Sequence, residues 1–127
     1  MIKRDVKLVG KITEQIASNH KISELTNRPI VQSLDFYIHI AKHVKQFKNV
    51  ESFNKAIDNI PNVLAKPEFT YYDKEKECLL YYAKLDDYTC YAINLNLTTD
   101  YCYLASLYPI SLKKLEKKKE ESYIRKN

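Results

Sequence analysis

Residues 77–109 read ECLLYYAKLDDYTCYAINLNLTTDYCYLASLYP, and this stretch decides the fold. It holds three runs rich in tyrosine and in β-branched or small residues, which span 77–85, 88–97 and 101–108. Runs of this composition predict strands, and the short polar turns between them require consecutive strands to pair antiparallel. Together with a candidate strand at 69–72, the sequence predicts a sheet of four antiparallel strands, the last of which Pro109 is expected to end.

Alternation along the run at 88–97 predicts which side of the sheet is covered. One set of alternating side chains consists of Tyr91, Ile93, Leu95 and Leu97, and the other consists of Cys90, Ala92, Asn94 and Asn96. Successive side chains of a strand point to opposite faces, so we expect the first set to face the helices.

The three cysteines, Cys78, Cys90 and Cys102, stand twelve residues apart and form no CxxC pair. An odd number in a short chain disfavours a disulfide framework and indicates a reducing compartment. The even spacing is expected of three similar strands that each contribute one small apolar side chain.

Upstream of residue 68 the pattern is mainly helical. A helix is predicted over 35–47, because apolar residues recur there at helical spacing. They are Phe36, Ile40, Val44 and Phe47. A second helix is predicted from Val50 or Glu51 to Ile60, where Pro61 is expected to end it.

These elements define the predicted architecture. The fold class is α+β, with N-terminal helices packed on a four-stranded antiparallel sheet and a charged C-terminal helix over 112–127. At 127 residues the chain is expected to form a single domain. Its core is expected to span 5–112, followed by a basic C-terminal helix or tail at 113–127.

Composition excludes several classes of function. Gly10 is the one glycine of the chain, so neither a Walker A loop nor a Rossmann fingerprint is present. No window approaches about 18 consecutive apolar residues, and no apolar segment follows the basic N-terminus, so we expect neither a transmembrane helix nor a signal peptide. The formal net charge of +5 favours an anionic partner such as nucleic acid, although a solvated basic face explains it equally well.

His39 and His43 are four residues apart, so they lie one helical turn apart at the edge of the predicted apolar stripe. This spacing suits two zinc ligands, but no third ligand accompanies them, and we expect no metal and no cofactor. Two interpretations stay open: two histidines packed at the rim of a core helix, or an acid–base pair that works near neutral pH. Lys42 and Lys45, beside them, are placed to hold a phosphate.

A ribonuclease that uses no metal needs few groups. A base removes the 2′-hydroxyl proton, an acid protonates the departing 5′-oxygen, and cations or hydroxyls stabilise the phosphorane between these steps. The two histidines, the lysines and strand hydroxyls such as Ser106 and Tyr108 supply these groups. Tyrosines on a sheet face also suit the stacking of unpaired bases.

Four motifs occur in an order that resembles one family. They are Val9-Gly10-Lys11-Ile12, Ile30-Val31-x-Ser33, His39-Ile40-x-Lys42-His43 and ASLYPIS at 105–111. In this order the chain resembles, from about Val9 to Leu115, the phage-associated branch of the barnase–EndoU–colicin–RelE superfamily of nuclease-like domains. Its members read V-G-K-I near the start, carry a short strand that ends in serine, H-I-x-x-R-H on a helix, and close with a Y/W-x-I-S-like strand end.

The resemblance implies two or three helices on a four-stranded antiparallel sheet, and metal-independent RNA cleavage deployed as a toxin. It places His39 and His43 on the family's two histidines, and it places two hydroxyls on the last strand. The expected catalytic residues are therefore His39, His43, Ser106 and Tyr108, and the expected substrate-binding residues are Lys42, Lys45 and Lys84. Lys42 stands where the family has arginine, and lysine lacks the bidentate phosphate geometry of arginine.

The expected function is a ribonuclease toxin that leaves a 2′,3′-cyclic phosphate on RNA, with tRNA as one candidate substrate. We expect a monomer with no membrane partner, in the cytoplasm or delivered to the cytoplasm of a target cell, and held by a cognate immunity or antitoxin protein. Two alternatives stay open: a non-catalytic RNA- or protein-binding member of the fold in a phage or mobile-element protein, and an immunity or antitoxin protein. The positive charge disfavours the second, because inhibitors of basic nucleases tend to be acidic.

Overall fold

The structure is a computed structural model that describes residues 6–86 and 89–120 and the backbone of 125–126. The strands in these residues are β1 Lys7–Lys11, β2 Pro29–Gln32, β3 Phe69–Asp73, β4 Cys78–Lys84, β5 Thr89–Leu97, β6 Cys102–Ser111 and β7 Arg125–Lys126. The α-helices in the same residues are α1 Glu14–Asn19, α2 Leu34–Ile40, α3 Val50–Asp58, α4 Ile60–Ala65 and α5 Leu112–Glu120. Two 3₁₀ segments, Ser23–Leu25 and Ala41–Gln46, complete the regular structure.

The strands form one mixed sheet in the order β1-β2-β6-β5-β4-β3-β7, so the α+β class is confirmed. The predicted antiparallel core is present, because β3, β4, β5 and β6 pair antiparallel in chain order. The prediction of four strands, all antiparallel, is wrong: the sheet is larger, and β2 runs parallel to β6 through Ile30 opposite Cys102. β2 has four residues and its partner lies far along the chain, so no local pattern indicates the pairing.

The prediction that Pro109 ends its strand is also wrong, since β6 continues to Ser111. Proline cannot donate a ladder hydrogen bond and is tolerated where a strand edge has no partner. Among the described strands, β2 pairs only with Cys102 and Tyr103 of β6, so β6 has a free edge at Pro109.

The C-terminal helix is shorter than predicted. α5 ends at Glu120, and Arg125–Lys126 pairs with β3 as the last strand of the sheet. The predicted helix over 112–127 is therefore wrong at its C-terminal end, and its residues 121–124 and 127 lie outside the described residues.

The helix predicted over 35–47 is divided into α2 and the 3₁₀ segment Ala41–Gln46. Its apolar stripe is nevertheless confirmed, because Phe36, Ile40 and Phe47 are buried and Val44 packs against the same cluster. Pro61 does not end the second helix but stands in the first turn of α4, where a missing N–H costs no hydrogen bond. In the part of the chain that the structure describes, no helix is long and apolar enough to cross a lipid bilayer.

Two hydrophobic clusters lie on opposite faces of the sheet. The larger cluster packs α1–α4 against Tyr91, Ile93 and Leu95, so the predicted inward face of β5 is confirmed. The smaller cluster lies under α5 and contains Tyr82, Cys90, Ala92, Ile110 and Leu115. The cysteines are buried, free, and one to each of β4, β5 and β6, as their spacing predicted. We call the side of the sheet under α5 the α5 face.

Candidate functional site

The paired histidines stand on a helix that is held beside β6. A single residue, Ser33, separates the end of β2 from the start of α2, and the apolar residues Phe36 and Ile40 of α2 are buried in the larger cluster. Both α2 and the 3₁₀ segment that follows it pack against β6. The buried stripe fixes the orientation of the helix, and the remaining side chains therefore point along its flanks or into solvent.

His39 and His43 form an edge-to-face pair, with ring centroids 5.7 Å apart. His39 is exposed and His43 is half-buried. Nδ1 of His43 is buried and has no hydrogen-bond partner among the described residues, which leaves Nε2 as the ring nitrogen for contact with a substrate. The two rings are neighbours, as their spacing indicated, while their catalytic role stays a prediction.

Lys42 and Lys45 belong to the same 3₁₀ segment as His43, and both are exposed. Neither lysine forms an ion pair within the described residues, where the ion pair present joins Lys119 to Glu116. Their charges are thus available to an anion that approaches the histidines. The phosphate-binding role of both lysines stays a prediction.

The predicted hydroxyls lie on β6 but on the α5 face. Ser106 pairs with Asn94 and Tyr108 pairs with Ala92, and Tyr108 packs against the smaller cluster. The buried residues of α2 belong to the opposite face. The structure therefore brings the histidines and the hydroxyls to neighbouring elements, because α2 packs against β6, but it places them on different faces of the sheet.

Burial raises the pKa of the Tyr108 phenol above its ordinary value. The phenol therefore keeps its proton over a wider pH range than an exposed tyrosine, which suits it to donate a hydrogen bond rather than to act as a base. Lys84, the third predicted substrate-binding lysine, is exposed and pairs with Cys90, so it also belongs to the α5 face. Lys84 and Tyr108 therefore lie on the same face, apart from Lys42 and Lys45.

Besides Ser106, the α5 face carries polar side chains that the sequence analysis did not assign to a site, among them Tyr71, Asn94 and Asn96. One row across the sheet consists of Tyr71, Leu80, Asn94 and Ser106. Beside this row, Asn96 Nδ2 donates to Tyr103 Oη at 3.0 Å. The signal was present in the alternation along β5, where two asparagines interrupt an otherwise apolar face.

In the described residues, no three His, Cys, Asp or Glu side chains come together as a set of metal ligands. The third histidine, His20, shares a hydrogen bond of 2.7 Å with Thr70 Oγ1 and packs edge-on against Tyr72. Within the described residues, His39 and His43 are therefore accompanied by lysines and not by further side chains that would complete a set of metal ligands.

The chain is thus a small α+β domain in which α2 and the 3₁₀ segment after it carry a group of histidines and lysines beside the sheet. The group consists of His39, Lys42, His43 and Lys45. The sequence of residues 7–117 matches the family described as phage-Barnase-EndoU-ColicinE5/D-RelE like nuclease3. The chain belongs to this nuclease family, which confirms the resemblance drawn from the four motifs. No curated protein and no solved structure is significantly similar to the chain.

Proposed function

We propose that the chain is an endoribonuclease that cleaves RNA by transesterification without a metal ion. The observation that carries the proposal is the edge-to-face pair of His39 and His43, 5.7 Å between centroids, in a chain of a nuclease family. Histidine both accepts and donates a proton near neutral pH, and two such rings this close can serve a single phosphodiester.

In the proposed reaction, one imidazole removes the proton of the 2′-hydroxyl, and O2′ attacks the adjacent phosphorus. The bond from phosphorus to O5′ breaks, and the imidazolium of the other histidine donates its proton to the departing O5′. The products are a 2′,3′-cyclic phosphate and a 5′-hydroxyl. His43 takes part through Nε2, because its Nδ1 is buried.

Lys42 and Lys45 supply positive charge to the phosphate that reacts between the histidines. Lysine is a point charge rather than a bidentate donor, so it stabilises the phosphorane without fixing its orientation. Ser106 and Tyr108 would contribute hydroxyl donors, and Lys84 a cation, from the α5 face. An RNA that uses both groups has to cross the free edge of β6, beside which α2 lies.

A second candidate function is a binding module that holds RNA without cleaving it. The row of Tyr71, Asn94 and Ser106 on the α5 face favours this function, because aromatic and amide side chains on a sheet suit unpaired bases. Lys42 in place of the family's arginine favours it as well. The α5 face serves both candidates, and only cleavage distinguishes them.

The toxin role is tested by expression in bacteria. We expect the chain to arrest growth and to leave RNA fragments that end in 2′,3′-cyclic phosphate, while the double variant His39→Ala/His43→Ala does neither. Growth arrest by the double variant as well would contradict the proposal. RNA binding by the purified chain with intact RNA would identify the binding module instead.

A further inference from the structure

α2 exposes a second apolar stripe on the side away from its buried one. Leu34, Tyr37 and Ile38 are 56%, 41% and 63% exposed. They stand at positions i, i+3 and i+4 of one helix, so their side chains form a continuous surface. We call these three residues the α2 stripe.

The packing of the chain explains the α2 stripe only in part. The Tyr37 hydroxyl accepts a hydrogen bond from Gln32 Nε2 and its ring packs edge-on against Phe36, whereas Leu34 and Ile38 are more than half exposed. Phe36 and Ile40 already fill the contact of α2 with the larger cluster. Single exposed apolar residues are ordinary on a protein surface, whereas a contiguous group of large ones marks an interaction site.

The surroundings of the α2 stripe are basic. Three exposed lysines follow it, Lys42, Lys45 and Lys48, and Asp35 is the one carboxylate between residues 34 and 48. Lys42 stands at i+4 from Ile38 and borders the stripe directly, so a partner that covers the stripe meets positive charge at that end, and a complementary partner carries acidic groups there.

We propose that the α2 stripe is the docking surface for a partner protein with an apolar ridge bordered by acidic residues. A second copy of this chain fits less well, because α2 and the segment after it, residues 34–48, offer one carboxylate, Asp35, to three lysines. RNA does not fit, since bases stack on aromatic rings and two of the three stripe residues are aliphatic.

The position of the surface gives docking a consequence for the proposed ribonuclease. Along the helix, His39 follows Ile38 directly and precedes Lys42, and it is exposed. Ile38 and His39 point about 100° apart on the helix, and Lys42, at i+4 from Ile38 and i+3 from His39, adjoins both. A partner that extends from Ile38 over Lys42 therefore also approaches His39. This inhibitory consequence rests on the proposed function, whereas the docking itself does not.

The test uses a defined probe, a designed amphipathic helical peptide with leucines on one face and glutamates elsewhere. We expect it to bind the full chain, and Leu34→Ser/Ile38→Ser and Lys42→Glu/Lys45→Glu each to weaken binding at least about tenfold. The control is Val50→Ser on α3, since Val50 is 60% exposed and lies outside the stripe. A peptide with lysines in place of the glutamates is expected not to bind.

Three results would overturn the docking surface. They are equal binding of the acidic peptide to wild type and Leu34→Ser/Ile38→Ser, no binding at all, and a dimer in light scattering that this variant makes monomeric. Loss of RNA affinity in the same variant would reassign the stripe to RNA.

The inhibitory consequence is tested by measuring how accessible the His39 side chain is to a modifying reagent. The rate at which diethyl pyrocarbonate modifies His39, followed by mass spectrometry, should fall when the peptide is bound and be unchanged in Leu34→Ser/Ile38→Ser. An undiminished rate with saturating peptide would overturn this consequence. None of these experiments measures RNA cleavage. A failure of the ribonuclease proposal therefore leaves the docking results interpretable, and a failure of docking leaves the cleavage results interpretable.

Discussion

His39 and His43 differ in exposure, and the difference separates their catalytic contribution from their structural one. His39 is exposed and its loss leaves no cavity, while His43 is half-buried and its ring contacts His39 edge-on. Substitution of each residue therefore tests the acid–base interpretation against the packing interpretation.

Replacement of His39 by alanine should lower the rate of RNA cleavage by about 10² to 10⁴, the usual contribution of a general acid or base. Thermal stability should hardly change, because the side chain is exposed. His43→Ala should give a similar loss of rate with a modest loss of stability. A fully active His39→Ala enzyme would remove this residue from the mechanism, and unfolding of both variants would favour the packing interpretation.

At the scale of elements, α2 is positioned by its buried stripe, and Ile40 is its fully buried anchor. Truncation of a buried isoleucine removes apolar contacts and leaves a cavity. The helix that carries His39 should then lose its fixed place beside β6.

Ile40→Ala should reduce the free energy of unfolding by about 2–5 kcal/mol in urea titration. Ile38→Ala on the same helix is the matched control, since Ile38 is 63% exposed, and it should change stability by less than about 0.5 kcal/mol. Equal effects of the two substitutions would contradict the assigned orientation of α2.

The basic elements α5 and the 3₁₀ segment Ala41–Gln46 are expected to act differently on RNA. Lys42→Ala should lower the salt dependence of RNA binding by one phosphate contact, about 0.7 in the log–log slope for a single strand, and should also slow cleavage. Lys117→Ala, at an exposed position of α5, should weaken binding without a change in the rate of the bound complex. Binding titrations over a salt series and single-turnover kinetics separate the two. Equal slowing of cleavage by both would contradict the placement of the reaction beside α2.

Sequence reasoning recovered the parts of the fold that depend on neighbouring residues. The strands β4, β5 and β6, the inward face of β5 and the stripe of Phe36 and Ile40 all follow from alternation or helical period. The parallel pair of β2 with β6 joins segments far apart in the chain, and no local pattern encodes such a pairing. The prediction at Pro109 was wrong because the free-energy cost of a proline in a strand depends on whether the neighbouring strand edge is paired. That is a property of the whole sheet and not of the local sequence.

The candidate site could also be predicted from the sequence only in part. The histidine pair could be found because both residues lie on one helical stretch. The position of Ser106 and Tyr108 on the α5 face could not, because it depends on a bulge between β5 and β6 near Asn94 and on the face that α2 covers.

On the scale of the whole molecule, the core contains acids that ionise poorly in the folded state. Tyr81 and Tyr82 are buried, their hydroxyls have no hydrogen-bond partner among the described residues, and burial raises the pKa of each phenol. Burial also raises the pKa of the Cys102 thiol to about 11. These groups keep their protons in the folded chain at pH values where the unfolded chain loses them.

The chain should therefore lose stability at alkaline pH. Thiols of an unfolded chain ionise near pH 8.5 and phenols near about pH 10. Above these values the folded state binds more protons than the unfolded state, so the free energy of unfolding decreases as pH rises. Urea midpoints should be constant at neutral pH and decline above about pH 9. A midpoint that stays unchanged up to about pH 11 would show that these groups ionise freely in the folded chain.

The most direct test of the central claim is the chemistry of the RNA ends that the purified chain produces. End-labelled RNA is incubated with the full chain and excess chelator, and a parallel substrate carries a single 2′-deoxy nucleotide at the cleavage position. The account predicts fragments that end in 2′,3′-cyclic phosphate and 5′-hydroxyl, formed in chelator, absent with the 2′-deoxy substrate and absent with His39→Ala/His43→Ala. Cleavage of the 2′-deoxy substrate, fragments with 3′-hydroxyl and 5′-phosphate ends, or activity that chelator abolishes and zinc restores would contradict it.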